Sequence, residues 1–369
     1  MLKIKDIIFL GIVLLLAGCS GDDITTNGLD SNDYDPVGKP VLFSVGLESH
    51  AKTRTTSVMA NRARFVCTMY YKAHSLDTDE SNFDISAPSE GGSMTTAWLQ
   101  VDGDAGNAVY KDRTFAADAT SFYWRNRLKH AFLALADYNK LTTNDGSTTD
   151  KGKLKMYPDS DPELSYANTF DLTRGTCASM VEQPDPILAL TVMSPNQSAA
   201  SNDRVTLDFQ HQFSQIQVNL KNENGTVDMS NIDKVELLGV TTEGYVPTRI
   251  NADGTVGAAS FKVVSSDTPF EMFSMAAAAE GYTKSYNAIA FGSLVAIRVT
   301  WYEGESAEAP VVTHTPTLTL NTPITLASGK RYVYNLTLSR GSLNVINAEV
   351  SQWSQKEELV YNIGQINPI

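Results

Sequence analysis

Apolar and polar residues alternate with a period of two through most of the chain. Val41, Phe43, Val45 and Leu47 are interleaved with Leu42, Ser44 and Gly46. Val205, Leu207 and Phe209 alternate with Thr206 and Asp208, and Ile216, Val218 and Leu220 with Gln217 and Asn219. Val295, Ile297, Val299 and Trp301 form another such series, as do Tyr332, Tyr334, Leu336 and Leu338. Strand side chains point alternately to opposite faces, so this pattern predicts antiparallel strands with one face on a core and one in water. Shorter runs at 97–101, 122–124 and 186–192 read as strands as well. Residues 130–138 are apolar nearly throughout, a pattern that fits either a strand or a helix. Asp102-Gly103, Asp145-Gly146, Asn224-Gly225 and Asp253-Gly254 supply turns that tolerate positive φ. Helical periodicity is scarce; residues 272–280 fit a short helix or a loop. The expected fold class is all-β, built as sandwiches.

The start of the chain breaks this pattern. Lys3 and Lys5 precede an apolar run at 7–16, interrupted only by Gly11. Spanning a bilayer takes about 20 residues, so the run is too short, but it suits the core of a signal peptide. Leu16-Ala17-Gly18-Cys19 follows and resembles a bacterial lipobox. Residues 1–18 are therefore expected to be removed, and Cys19 to carry the lipid that holds the chain to a membrane without spanning it. Residues 19–38 are rich in Asp, Asn, Thr, Ser and Gly and read as a flexible tether. The remainder exceeds the usual size of one domain. A polar stretch at 194–203 is the expected break, giving an N-terminal domain over 39–196 and a C-terminal domain over 203–369.

Charge and candidate chemistry narrow the function. The formal net charge is −13, and losing Lys3, Lys5 and Asp6 takes it to −14. Such a surface repels phosphate backbones, which excludes nucleic acid as a partner. Cys67 and Cys177 are isolated; one disulfide or two buried thiols both fit, and a zinc site does not. None of the five histidines pairs with another at helical metal-ligand spacing, and His211 reads as a hydrogen-bonded structural residue. Asp159, Asp161 and Glu163 lack the glycine and terminal glutamate of a calcium loop. There is no nucleophile elbow, P-loop or dinucleotide fingerprint. No metal, cofactor or enzymatic activity is expected.

Four stretches carry a family resemblance. They are 40–47 followed by Thr53-Arg54-Thr55; Asp185-Pro186-Ile187-Leu188-Ala189; 205–218, with the Phe209-Gln210-His211 core; and 326–336 followed by 348–353. In this order they resemble the fimbrillin family, the lipoprotein precursors of type V pili. Ser328 before Gly329 departs from the usual pattern, and residues 140–161 match no motif. The resemblance implies two transthyretin-like β-sandwich domains in tandem. It implies that a trypsin-like protease cuts after a basic residue beyond the first strand, and that a strand of the next subunit fills the groove. On this chain the removable strand would carry Val41, Phe43, Val45 and Leu47. The cut would fall at Arg54, with Arg62 and Arg64 as alternatives. The donor strand would lie in 357–369, with Leu359, Tyr361, Ile363 and Ile366 as its apolar residues; closure of the chain's own sheet is the other use of that tail. The implied partners are other pilin subunits joined head to tail, an outer-membrane lipid anchor, the processing protease and a host or bacterial surface ligand. The implied location is a cell-surface fimbria. The alternative is a surface glycan-binding lipoprotein with Trp98, Trp124, Trp301 and Trp353 as sugar platforms, although Trp301 and Trp353 sit on strand patterns and read as core.

Overall fold

A computed structural model of the chain describes residues 36–47, 57–58, 64–72, 82–85, 95–102, 107–114, 122–138, 167–171, 179–200, 204–222, 225, 227–241, 243–261, 265–304 and 312–353. Residues 36–369 group into one compact unit. The calls on Cys19, Arg54, Arg62, Cys177, Leu359, Tyr361, Ile363 and Ile366 lie outside the described residues. The regular structure among the described residues is almost entirely strand, as the period-two pattern predicts.

The first sheet contains β1 (Leu42–Leu47), β2 (Ser57–Val58), β3 (Arg64–Tyr71), β4 (Thr95–Asp102), β5 (Asn107–Thr114) and β6 (His130–Asp137). After β7 (Ala167–Asp171), which belongs to a small third sheet, it gains β8 (Pro186–Met193) and β9 (Arg204–His211). Their order is β2-β1-β5-β4-β3-β6-β8-β9, and a parallel pairing of β1 with β9 joins the two ends. The sheet thereby closes on itself around Phe43, Phe65, Leu99, Phe122, Phe132 and Phe209. Closure removes the free edges that an open sheet exposes.

Two expectations are settled by this topology. Residues 130–137 form a strand, β6, whose eight side chains are all buried. Phe132, Ala134 and Ala136 face the interior of the closed sheet. Ala131, Leu133 and Leu135 face outward but join a second core with Val66, Tyr70 and Phe83. Covering both faces erases the polar half of the alternation. The expected break at 194–203 falls inside the first sheet. Residues Pro195–Ala200 form a short helix, α1, that carries the chain from β8 to β9. β9, expected to open the second domain, is hydrogen-bonded into the first sheet, and the chain leaves that sheet at Gln212. A polar connector marks a turn at the surface, whether or not the sheet changes there.

The second sheet follows with β10 (Ser214–Asn222), β11 (Ile232–Thr241), β14 (Pro269–Glu271), β15 (Phe273–Ser274), β16 (Lys284–Glu303), β17 (Val312–His314), β18 (Thr317–Thr325), β19 (Lys330–Leu338) and β20 (Leu343–Gln352). β12 (Glu243–Pro247) and β13 (Ser260–Phe261) complete the third sheet with β7. β16 runs for 20 residues: its first part pairs β10, and its second pairs β11, β17 and β18. Gly239 sits at a bulge in β11 with φ +85, and a Cβ there would lie 2.6 Å from the Ser293 carbonyl oxygen. Only glycine allows that approach. Residues 275–280 form a loop.

One titratable group in the first sheet has a readable consequence. His130 is fully buried; its Nε2 accepts the Arg125 N–H at 3.1 Å, and its Nδ1 lies 2.9 Å from the Leu128 carbonyl oxygen. Burial, aided by the Arg125 charge and opposed by the Leu128 bond, pushes its pKa from 6.5 down to about 4. The unfolded chain binds this proton below pH 6.5 and the folded chain only below about 4, so stability falls as pH drops through that window. The loss from this residue is about 3 kcal/mol. Urea unfolding at pH 7 and pH 4.5 should show a larger acid-induced fall for the wild type than for His130→Gln.

Candidate functional site

β1 is the strand that closes the first sheet, and its two edges are held unequally. On one edge it pairs in parallel with β9 from Leu42↔Arg204 through Leu47↔Phe209, six residues in all. The other edge is shared by β5, at Phe43↔Ala108 and Ser44↔Asn107, and by β2, at Gly46↔Val58 and Leu47↔Ser57. Ahead of β1 the chain is strapped to residues 122–124. Gly38 N–H donates to the Trp124 carbonyl at 2.8 Å, Trp124 N–H to Lys39 at 3.1 Å, and Val41 N–H to Phe122 at 2.8 Å.

The side chains alternate as the sequence predicts. Val41, Phe43 and Val45 are buried, whereas Leu42 is 44% exposed. The Phe43 ring meets Phe122 and Phe132 edge to face at centroid distances of 5.8 and 5.5 Å. On the outer face Ser44 Oγ lies 3.1 Å from Thr206 Oγ1, and Arg204 Nη1 donates to the Phe43 carbonyl at 2.8 Å. Leu47 is the last paired residue.

β9 depends on this arrangement. Its pairing with β8 is confined to Ile187↔His211 and Leu188↔Gln210. Along 204–209 its ladder partner is β1. Without β1, the backbone of β9 would present an edge at the rim of a slot lined by Phe122, Phe132, Val205, Leu207 and Phe209. A buried N–H or C=O left without a partner costs about 1–3 kcal/mol. Such a slot takes an extended peptide with apolar side chains at every second position, the chemistry of β-strand addition.

Of the four residues named from the sequence as a removable strand, Phe43, Val45 and Leu47 lie on β1 and Val41 directly precedes it. Arg64 heads β3 and is paired with Gln100 inside the sheet. The partner strand β9 was not identifiable from the pattern, because pairing with residues some 160 positions away leaves no local signal. Trp124, Trp301 and Trp353 are all buried, so none presents a face to a sugar. Cys67 is a free thiol inside the closed sheet, and burial pushes its pKa up. Among the described residues no group of three or more His, Cys, Asp or Glu side chains is arranged to hold a metal ion.

Comparisons with known proteins bear on this strand architecture. A family model described as fimbrillin-like matches residues 72–353. No curated protein matches the chain. A candidate cell adhesion protein of Bacteroides ovatus shares 16% identity at a TM-score of 0.54, over 86% of this chain and 98% of its own. A candidate cell adhesion protein of Bacteroides uniformis shares 12% identity at a TM-score of 0.48, over 86% and 98%. The tip fimbrial protein Mfa3 of Porphyromonas gingivalis, truncated at its C-terminus, shares 11% identity at a TM-score of 0.40, over 85% and 99%. At these identities the likeness to the first of them concerns the fold alone.

The contribution of β1 is open to direct measurement. Phe43→Ala should destabilise the protein by about 3–5 kcal/mol, the range for emptying a packed aromatic site. Leu42→Ala, one residue away on the exposed face, should change stability by no more than about 0.5 kcal/mol. Guanidinium unfolding of both variants checks the contrast.

Proposed function

From its membership of the fimbrillin-like family, established by the match over residues 72–353, we propose that the chain is a structural subunit of a bacterial surface fimbria that polymerises by protease-triggered strand exchange. The family is a structural one, and the chain is not an enzyme. Its place is the cell-surface fimbria, where it supports adhesion and meets other fimbrial subunits. In this reading the precursor is exported as a lipoprotein held to the outer membrane through Cys19.

The observation that carries the reading is the position of β1. Among the described residues it precedes every other strand, so one cut beyond it frees it without interrupting the chain from β3 onward. Arg54 lies in the connection between β1 and β2, and a cut there would leave β2 behind. Arg62 lies between β2 and β3, and a cut there would release both. Arg64 is the less suitable site, since its backbone is paired within the sheet. Release of β1 leaves the slot on β9, and residues 357–369 of a second subunit supply Leu359, Tyr361, Ile363 and Ile366 as its new occupant. Donor and slot lie on different molecules and do not close a ring, so the product is a filament. The burial of three tryptophans leaves the glycan-binding alternative little support.

Limited trypsin treatment of the lipid-free protein should remove one N-terminal segment and produce a ladder of oligomers on a gel. An excess of a synthetic peptide of residues 357–369 should suppress the ladder by filling the slot first. A cleaved protein that stays monomeric and ignores the peptide, or a ladder that forms equally well without cleavage, contradicts the proposal. Retardation of that monomer in a polysaccharide gel would support glycan binding instead.

A further inference from the structure

We propose that His211 is a positioning residue that ties Trp353, at the root of the C-terminal segment, to β9, so that the state of the β1 slot is transmitted to the residue from which the candidate donor segment continues. This inference rests on the strand-exchange reading above and extends it. It links the two functional ends of one subunit, which that reading treats as independent.

β9 has the slot along 204–209 and His211 as its last residue. The His211 ring is buried and stacks on Trp353, with centroids 4.0 Å apart and planes 13° apart. Tyr138 meets the same ring edge on at 5.3 Å. His211 Nδ1 lies 2.9 Å from Asp185 Oδ1. Asp185 N–H donates to Asp137 Oδ1 at 3.0 Å, and Tyr138 N–H donates to the Asp185 carbonyl at 2.7 Å. Trp353 follows directly on β20, the last strand among the described residues, and residues 354–369 follow Trp353. Its own backbone is held to the same place. Trp353 N–H donates to the Gly329 carbonyl at 2.8 Å, and Gly329 N–H donates to Phe213, two residues beyond His211, at 2.9 Å.

The chemistry of this cluster makes its geometry sharply defined. Asp137, Asp185 and His211 are buried at the ends of three neighbouring strands of the first sheet. A buried carboxylate is tolerated where a donor meets it, and displacement of that donor leaves the charge uncompensated. Burial raises the pKa of Asp185 and His211 opposes that rise. Small displacements of the end of β9 are therefore resisted until the cluster comes apart as a unit, and the Trp353 stack goes with it.

The slot bears on the same strand. When β1 is present, β9 is held from Arg204 to Phe209 by β1 and at Gln210 and His211 by β8. When β1 leaves, β9 loses its ladder along 204–209 and keeps the two residues paired with β8, the bond from Thr191 Oγ1 to the Thr206 carbonyl, the packing of Phe209 on Phe65 and the His211 cluster, which then carry more of the load. The grip on Trp353 loosens at the moment the slot opens, and tightens again when a donor strand fills it. One cut then prepares a subunit both to accept and to donate.

Amide exchange on the full-length mature protein tests this. Phe43→Ala, which weakens β1 without removing it, should speed exchange at 204–209 and, by about tenfold, at 351–353. In a His211→Gln background, or Trp353→Leu should the former not fold, 351–353 should exchange fast already and no longer respond to Phe43→Ala, while 204–209 still does. If Phe43→Ala speeds exchange at 204–209 and leaves 351–353 untouched, while trypsin-cleaved wild type still forms ladders, the coupling is overturned and the strand-exchange reading stands. If 351–353 responds but cleaved protein never oligomerises, the reading fails and takes this role of His211 with it.

Discussion

The parallel pairing of β1 with β9 is the interaction on which the first sheet depends. It joins strands some 160 residues apart in sequence and turns an open sheet into a closed one. The two strands meet through six consecutive residue pairs and through Val41, Phe43 and Val45 packed inside. β1 is at the same time the strand whose loss interrupts the chain least, since it comes first. Most strands of a closed sheet satisfy only one of these conditions. Here the strand that closes the structure is also the one that a single proteolytic event can take away, and that coincidence underlies the proposed assembly mechanism.

Much of the fold is held by contacts that do not involve β1. The outer face of β6 and of β3 does not face water but continues into the core that the second sheet shares, through Val66, Tyr70, Leu133 and Leu135. β16 runs unbroken from its pairing with β10 to its pairings with β11, β17 and β18. Gln183 adds a polar tie: its side chain exchanges two hydrogen bonds with the backbone of Ile289. None of these contacts runs through β1. In the proposed mechanism these contacts would keep the acceptor together when β1 departs, which is what strand addition requires.

Much of the architecture was legible in the sequence, for physical reasons that also mark where legibility ends. β1, β9 and β19 each have one face on a core, so their alternation survives in the residue pattern; β10 is buried on both faces, and its alternation survives because the second face is a polar network of Gln217, Asn219 and Asn335. β6 is covered on both faces, and its pattern fits two structures equally well. The connector at 194–200 reads as a domain break because it is polar, yet it joins two strands of one sheet. β1 was identifiable as a strand because Val41, Phe43 and Val45 announce a buried face, whereas its candidacy for removal came from the family resemblance. Its partner was not identifiable, because long-range parallel pairing is set by tertiary packing. His211 was legible as a structural histidine, but its stack on Trp353 joins residues 142 positions apart and is visible only in three dimensions.

The central claim is that β1 is present while the subunit waits and absent once it is assembled. Mass spectrometry of the N-terminus of protein taken from surface filaments tests this most directly. The account predicts a chain beginning between Leu47 and Arg64, with no residue of β1 retained. Filaments whose subunits still carry residues 41–47 would contradict it.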